Sequence, residues 1–291
     1  MATTEIPPAA AVAPQVQPDT SDLPGIKVML VGPPGSGKTF SLHTLVDEGI
    51  TPFVVFTENS MGVLSDFAGT RDDCKIHWKY IKPADSDWAT MIDVAQKVNT
   101  LSNDSLQKMP GIQKQHYNQW IDLLNALFKP KCDRCGKEFP PVDQWGTDMA
   151  LVMDSLSGLN VMSMNLAVGG KPIKTQPDWG VAMDNEERLI QKLANLNCHH
   201  ILTAHLDRTF DEVLGGVHLT PSALGKKLGP TIPRWYDDVI FTVKEGATFQ
   251  WSTAKSGVDL KSRHLPFGDK LNPSFHDIIE VWKKKGGRIH G

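Results

Sequence analysis

The chain has 291 residues, of which 30 are Lys or Arg and 33 are Asp or Glu, giving a formal net charge of -3 with 40% hydrophobic content. That balance excludes a protein that coats nucleic acid through overall positive charge, and no apolar run approaches the roughly 18 to 20 residues of a membrane span. Four cysteines are too few for a disulfide framework in a chain of this length, and the N-terminus lacks the basic-then-apolar order of a signal peptide, so the expected setting is intracellular and cytoplasmic.

Residues 1–24 hold Pro7, Pro8, Pro14, Pro18 and Pro24 among alanines, with no Lys or Arg before Lys27. Such a composition cannot bury enough surface to offset its ordering entropy, so it is expected to be a disordered arm or a plain solvated tail. From Ile26 onward, strands alternate with helices, the pattern of a parallel sheet covered on both faces. Strands are expected at Ile26–Val31, Phe53–Thr57, Ile76–Ile81, Met149–Met153 and His200–Ala204. Helices are expected at Lys38–Glu48, Trp88–Leu101 and Val181–Leu196, with Ala182, Leu189, Leu193 and Leu196 on one face of the last. After Pro233, Val239–Val243 and Phe249–Ala254 flank a short turn, so the sheet is expected to end in antiparallel strands. The expected organisation is an arm (1–24), one α/β domain (25–282) with an insertion at about 103–147 that includes a helix (Gln115–Phe128), and a basic tail (283–291) carrying Lys283, Lys284, Lys285 and Arg288.

The strongest local signal is GPPGSGKT at 32–39, directly after an apolar run. Gly32, Gly35 and Gly37 let backbone N–H groups turn inward around phosphates, with Pro33, Pro34 and Ser36 completing the loop and Phe40 opening the helix that follows. Lys38 neutralises the outer phosphates, and the Thr39 hydroxyl is suited to Mg²⁺. A phosphate loop also needs an acid near that ion at the end of a buried strand, and Asp154 supplies it after Ala150–Met153. Glu58 ends the Phe53–Thr57 strand, which is expected to neighbour the phosphate-loop strand, and is the candidate for orienting or deprotonating water.

The order of these motifs, with VVFTEN at 54–59, LVMDS at 151–155 and ILTAH at 201–205, resembles the RecA-like ATPase core over about residues 26–268. More narrowly, it resembles the small phage-encoded ATPases that include Sak-type single-strand annealing proteins. The resemblance implies a phage protein in a bacterial host, with ATP and Mg²⁺ as cofactors, Glu58 as catalytic carboxylate and His205 as γ-phosphate sensor. RecA itself carries Gln at the sensor position. The segment LKSRHLPF resembles the stretch whose cations reach a neighbouring subunit's γ-phosphate, which makes Lys261 and Arg263, with Lys255 as a third, trans-acting candidates in a homo-oligomer with sites between subunits.

By the same resemblance, two mobile loops would hold single-stranded DNA. The first is about Ala167–Trp179 with Lys171 and Lys174; the second is about Leu206–Trp235 with Arg208, Lys226, Lys227 and Arg234. Trp179 and Trp235 are either stacking platforms or packing anchors. The implied function is DNA-stimulated ATP hydrolysis in recombination or annealing, with a single-stranded DNA-binding protein as a further partner and no membrane. The alternatives are a nucleotide-gated DNA binder or loader with slow hydrolysis, and a small-molecule kinase, which the lack of an Arg-rich lid disfavours.

KCDRCGKEF at 131–139 has the form of a zinc knuckle, with Cys132 and Cys135 as half of a tetrahedral Zn²⁺ site or as an ordinary reduced turn. The other half is open from sequence. His116 lies nearby, Cys74 and His77 form a Cys-x-x-His pair elsewhere, and Cys198-His199-His200 reads as part of a buried strand.

Overall fold

Alternation of short β-branched runs with longer amphipathic segments produces a three-layer α/β domain in the computed structural model, which describes residues 23–82, 88–108, 118–169, 173–210 and 216–291. Most of the N-terminal arm, Lys171 and His116 lie outside these residues. Nine strands are described: β1 (Lys27–Val31), β2 (Thr51–Phe56), β3 (His77–Tyr80), β4 (Met149–Asp154), β5 (His199–Ala204), β6 (Leu206–Phe210), β7 (Val217–Pro221), β8 (Asp238–Glu245) and β9 (Thr248–Ser252). Eight α-helices accompany them: α1 (Thr44–Asp47), α2 (Trp88–Thr100), α3 (Asn103–Lys108), α4 (Gln119–Phe128), α5 (Leu156–Val168), α6 (Gln176–Ala194), α7 (Gly225–Leu228) and α8 (His276–Lys284). Among the described residues, no helix is long and apolar enough to cross a membrane.

Seven strands form one sheet in the order β3-β2-β4-β5-β1-β8-β9, parallel throughout except for the β8–β9 hairpin. This is the mostly parallel sheet flanked by helices that was expected, ending in antiparallel strands. One expectation fails: β2 does not neighbour β1 but is separated from it by β4 and β5. Periodicity fixes which face of a strand is buried, whereas lateral order depends on the crossovers, which no local pattern encodes.

β1, β4 and β5 are buried along their whole length, as a sheet covered on both faces requires. On one face Met29, Phe53, Leu151 and Leu202 pack against Leu123 of α4, Leu159 of α5 and Leu189 and Leu193 of α6. On the other, Val28, Val54, Val152 and Ile201 pack against Leu45 of α1 and Ile278, Ile279 and Trp282 of α8. The expected apolar face of α6 is present, since Ala182, Leu189, Leu193 and the following Leu196 are all buried.

Four local departures are present, two of them with identifiable causes. The helix expected at Lys38–Glu48 is a 3₁₀ segment at Phe40–His43 followed by the four-residue α1. Ser41 Oγ donates to Lys38 O (2.9 Å), Thr44 Oγ1 donates to Ser41 O (2.8 Å) and His43 Nδ1 meets Phe40 O (2.5 Å), so side chains compete three residues back for the carbonyls an α-helix would use. Helix α6 begins at Gln176, five residues before the expected Val181, because Thr175 and Asp178 form a capping box ahead of Pro177. Trp179 therefore lies inside a helix rather than in a loop.

The second expected loop is partly regular: β6 and β7 pair as an antiparallel hairpin, α7 follows, and a 3₁₀ turn spans Ile232–Trp235. The basic run at 283–291 is docked. Lys283 and Lys284 close α8, and His290 N donates to Thr147 Oγ1 (3.0 Å) while Asp148 N donates to His290 O (3.2 Å).

Candidate functional site

The phosphate loop follows the buried end of β1. Gly35 and Gly37 take φ of 72° and 90°, the left-handed region that L side chains disfavour. Gly37 has no room for a side chain in any case, since a Cβ there would meet the Phe249 ring at 2.6 Å. Ser36 Oγ shares a 2.6 Å hydrogen bond with Thr242 Oγ1 of β8, which ties the loop to the next strand. The Lys38 ammonium lies within the loop, donating to Gly32 O (2.8 Å) and Pro33 O (2.9 Å). Burial lowers its pKa to about 8, against the opposing pull of Asp154 and Glu58. An anion in the loop would restore the ammonium's ordinary basicity, so binding and protonation are coupled.

Asp154 ends β4 and faces the loop across the intervening β5. Three hydroxyls converge on its carboxylate: Thr39 Oγ1 donates to Oδ2 (2.9 Å), Ser60 Oγ to the same oxygen (3.1 Å) and Thr203 Oγ1 of β5 to Oδ1 (2.5 Å). Thr39 and Asp154 thus present a hydroxyl and a carboxylate side by side, the hard oxygen donors that suit Mg²⁺. The Asp154–Ser155 peptide is cis. Beyond it, Ser155 N donates to Thr57 Oγ1 and Thr57 Oγ1 donates to Ser155 O, both at 2.8 Å, which locks the carboxyl ends of β2 and β4 together. A Cβ at Gly158 would stand 2.2 Å from Thr57 Oγ1, so glycine there is required by this approach.

The β2–β4 lock sets Glu58 in place. Ser155 Oγ donates to Glu58 Oε1 (2.7 Å), and the other oxygen lies 3.9 Å from His205 Nε2. The neighbouring His205 imidazole holds the Glu58 carboxyl below its usual range; the Ser155 hydroxyl acts in the same direction, while partial burial opposes both. The His205 Nδ1 is buried and has no hydrogen-bond partner among the described residues. Ser60 and Thr203 are site residues not expected from the sequence, whereas Ser155 stands in the LVMDS motif without an assigned role. Thr203 had one available signal, since it stands two residues before His205 in a buried strand and a polar side chain there needs a partner.

Lys261 and Arg263 are remote from this chain's own phosphate loop. Lys261 pairs with Val239 and its Nζ donates to Tyr236 O (2.6 Å), while Arg263 Nη1 meets Asp237 Oδ1 at 2.6 Å. These positions are level with the amino end of β1, where Val28 pairs with Asp238, roughly 13 Å in strand rise from Gly32. Lys255 lies over the Phe241 ring at 5.9 Å, and Phe241 is level with Val31 at the loop end.

Of the DNA-binding candidates, Lys174 Nζ sits 5.6 Å from the centroid of Trp179. Trp179, Gln176 and Met183 of α6 share a pocket with Gly225 and Lys227 of α7, so the two expected DNA segments meet there. Arg208 lies on the exposed β6, and the Lys226 side chain is outside the described residues.

At the far edge of the sheet, the ligand atoms of Cys74, His77, Cys132 and Cys135 all lie within 4.8 Å of one another. The fold thus brings the distant Cys-x-x-His pair beside the knuckle. Cys198, His199 and His200 are buried at the start of β5, as expected for a strand, with His200 between Leu151 O (3.0 Å) and Tyr236 Oη (3.1 Å).

Comparison with known proteins bears on the whole of this arrangement. No curated protein matches the chain. Among solved structures it is similar to the flagellar accessory protein FlaH from Methanocaldococcus jannaschii, with 11% identity, a TM-score of 0.33, and coverage of 79% of this chain and 77% of that one. A family model described as an AAA domain matches residues 24–265, a span that runs from the phosphate-loop strand through Lys38, Asp154 and His205 to Arg263. This chain belongs to the AAA domain family.

Proposed function

We propose that the protein hydrolyses ATP with Mg²⁺ and couples that reaction to single-stranded DNA in recombination or annealing. The observation that carries the reading is the Glu58–His205 pair: a carboxylate held ionised beside an imidazole at the ends of two strands, next to the Lys38–Thr39–Asp154 cradle. In this reading Lys38 neutralises the outer phosphates, and Thr39 and Asp154 hold the metal, which supplies charge neutralisation for the transferring phosphoryl group. Glu58 orients water and accepts its proton, a role that needs an ionised carboxylate near neutral pH.

His205 is the link to the DNA segments. Its backbone carbonyl accepts from Ser222 N (2.9 Å) just after the β6–β7 hairpin, and the Ser222 carbonyl accepts from Asn160 Nδ2 of α5 (2.8 Å). A displacement of His205 would therefore be felt by the segment leading to α7 and Lys227. Lys174, Arg208, Lys226 and Lys227 contact DNA phosphates in this reading, with Trp179 offering a ring beside Lys174. Lys261 and Arg263 act on a neighbour's nucleotide in a homo-oligomer, since their own loop lies at the other end of the sheet. A single-stranded DNA-binding protein is the further partner the reading entails.

Turnover measured with and without single-stranded oligonucleotides, at low and moderate salt, tests the proposal. A rise in ATP hydrolysis on DNA addition is expected; indifference to DNA together with no binding at low salt overturns it. Glu58→Gln separates this reading from a nucleotide-gated binder. A hydrolysis-driven protein loses turnover and DNA function together, whereas a gated binder keeps its DNA binding.

A further inference from the structure

The Cys-His cluster lies on the opposite side of the sheet's function from the nucleotide. His77 opens β3, level with Phe53 of β2, whereas Glu58 lies five residues farther along that strand, roughly 16 Å away in rise.

Two tight turns present the three cysteines, and the start of β3 presents His77. In the first, Cys132 N donates to Lys137 O (2.9 Å), Gly136 N donates to Cys132 O (3.0 Å), and Gly136 takes φ of 76°. Arg134 N points at Cys132 Sγ (3.4 Å), so a backbone N–H is already aimed at the sulfur. In the second, Gly69 pairs with Cys74, Lys75 N donates to Ala68 O (3.0 Å), and a Cβ on Gly69 would stand 2.2 Å from Asp73 O. Arg134 joins the two turns by donating from Nη1 to Ala68 O (2.5 Å) and from Nη2 to Gly69 O.

The spacing suits one ion. A tetrahedral site with bonds of about 2.3 Å to sulfur and about 2.0 Å to nitrogen has ligand-to-ligand edges of about 3.5 to 3.8 Å. The Cys135 Sγ to His77 Nδ1 separation is 3.4 Å, and every other pair lies within 4.8 Å. Three thiolates with one imidazole select a borderline-soft cation of tetrahedral preference over Mg²⁺ or Ca²⁺. Three thiolates around a divalent ion carry a net charge of -1, and the Arg134 guanidinium stands beside them, 5.5 Å over the Trp78 ring.

We propose that Cys74, His77, Cys132 and Cys135 bind one Zn²⁺ in a closed S₃N site that fastens the 131–139 knuckle across the open edge of β3. Four protein ligands leave no position for water, so the site is structural. Its mechanical role follows from the hydrogen bonds around it: Asp133 N donates to Trp78 O and Tyr80 N donates to Asp133 Oδ2, both at 2.8 Å, so the knuckle satisfies two of the edge strand's backbone groups. Metal entry displaces three thiol protons.

The test uses the full chain, expressed with zinc supplementation and purified without chelator. Elemental analysis is expected to find one zinc per chain, and exchange with Co²⁺ to give the intense visible bands and thiolate charge transfer of tetrahedral S₃N. Cys74→Ser and Cys132→Ser each lower the zinc content at least tenfold. His77→Cys keeps one metal per chain with a cobalt spectrum shifted to S₄, which guards against a loss due to misfolding, and Cys198→Ala leaves the stoichiometry at one. Four titratable thiols with no metal in the zinc-replete protein would overturn the proposal. So would a Cys132–Cys135 disulfide in the intact mass of protein purified under reducing conditions, or zinc content unchanged by Cys74→Ser.

Discussion

The nucleotide end of the sheet and the β3 edge both gather residues from distant parts of the chain, but they hold them differently. At the nucleotide end the polar groups are satisfied provisionally. Lys38 is held by carbonyls of its own loop, Asp154 by three hydroxyls, and Glu58 and His205 remain partly open to solvent. Phosphate would compete with the loop carbonyls for the Lys38 ammonium, and a metal with the hydroxyls for the Asp154 carboxylate. At the β3 edge, His77 and Cys132 are buried and the surrounding backbone is closed on itself by turns. The first arrangement suits a ligand that comes and goes, the second one that stays.

The largest effect is expected at Lys38. Lys38→Ala is expected to lower nucleotide turnover by on the order of 10³, as removal of a buried cation from a phosphate site does, while leaving the metal content of the β3 edge unchanged. A turnover within tenfold of the unmodified chain would show that the loop is not the working site. Glu58→Gln comes next. Loss of a general base predicts a fall of about 10² or more in turnover with nucleotide affinity within a few-fold, read by steady-state kinetics beside equilibrium binding.

Glu186 sharpens the contrast because it is as buried as the cluster but has no ligand to justify it. It sits on the core face of α6 between Ala182 and Leu189, and neither carboxyl oxygen has a hydrogen-bond partner among the described residues. Burial pushes its pKa up to about 8. Between its ordinary value and about 8 the folded chain keeps a proton that the unfolded chain releases, so stability falls as pH rises through that window. The slope is about 1.4 kcal/mol per pH unit, or on the order of 2 to 3 kcal/mol between pH 5 and 7. Glu186→Gln removes this slope, and urea unfolding of both proteins at several pH values measures it. Parallel curves would mean the acid is paired in solution.

Two smaller effects probe the exchangeability of the nucleotide end. As pH rises through about 8, Lys38 loses its proton in the free protein, so nucleotide affinity falls by up to about tenfold per unit and binding takes up a proton. Calorimetry in buffers of different ionisation enthalpy detects the uptake; buffer-independent heats at pH 8.5 would contradict it. Lys227→Ala is expected to weaken oligonucleotide binding only a few-fold and to reduce the salt dependence by about one charge. A loss at high salt as large as at low salt would point to a packing role instead.

How much was legible varied with the range of the interaction. GPPGSGKT, the strands around it and the apolar face of α6 are local patterns, and they stand where the sequence puts them. The shortened helix after the loop and the early start of α6 are also local effects. Ser41, Thr44, Thr175 and Asp178 carry the side-chain bonds responsible, although apolar periodicity alone does not register them. Glu58 and His205 were each named through the motif order of a resemblance, which did not include their approach to one another, and the assumed adjacency of β2 to β1 was not the route by which that approach arises.

By itself the sequence determined the phosphate cradle, the α/β alternation and half of a cysteine site, because each depends on neighbours within a few residues or on a repeating period. The tertiary structure alone decided that β5 separates the Lys38 and Asp154 strands, that Thr203 and Ser155 orient the two acids, and that Cys74 and His77 complete the knuckle at Cys132 and Cys135. Those outcomes follow from crossover connections and lateral strand order, which bring together residues 49 or more positions apart and leave no periodic trace in the chain.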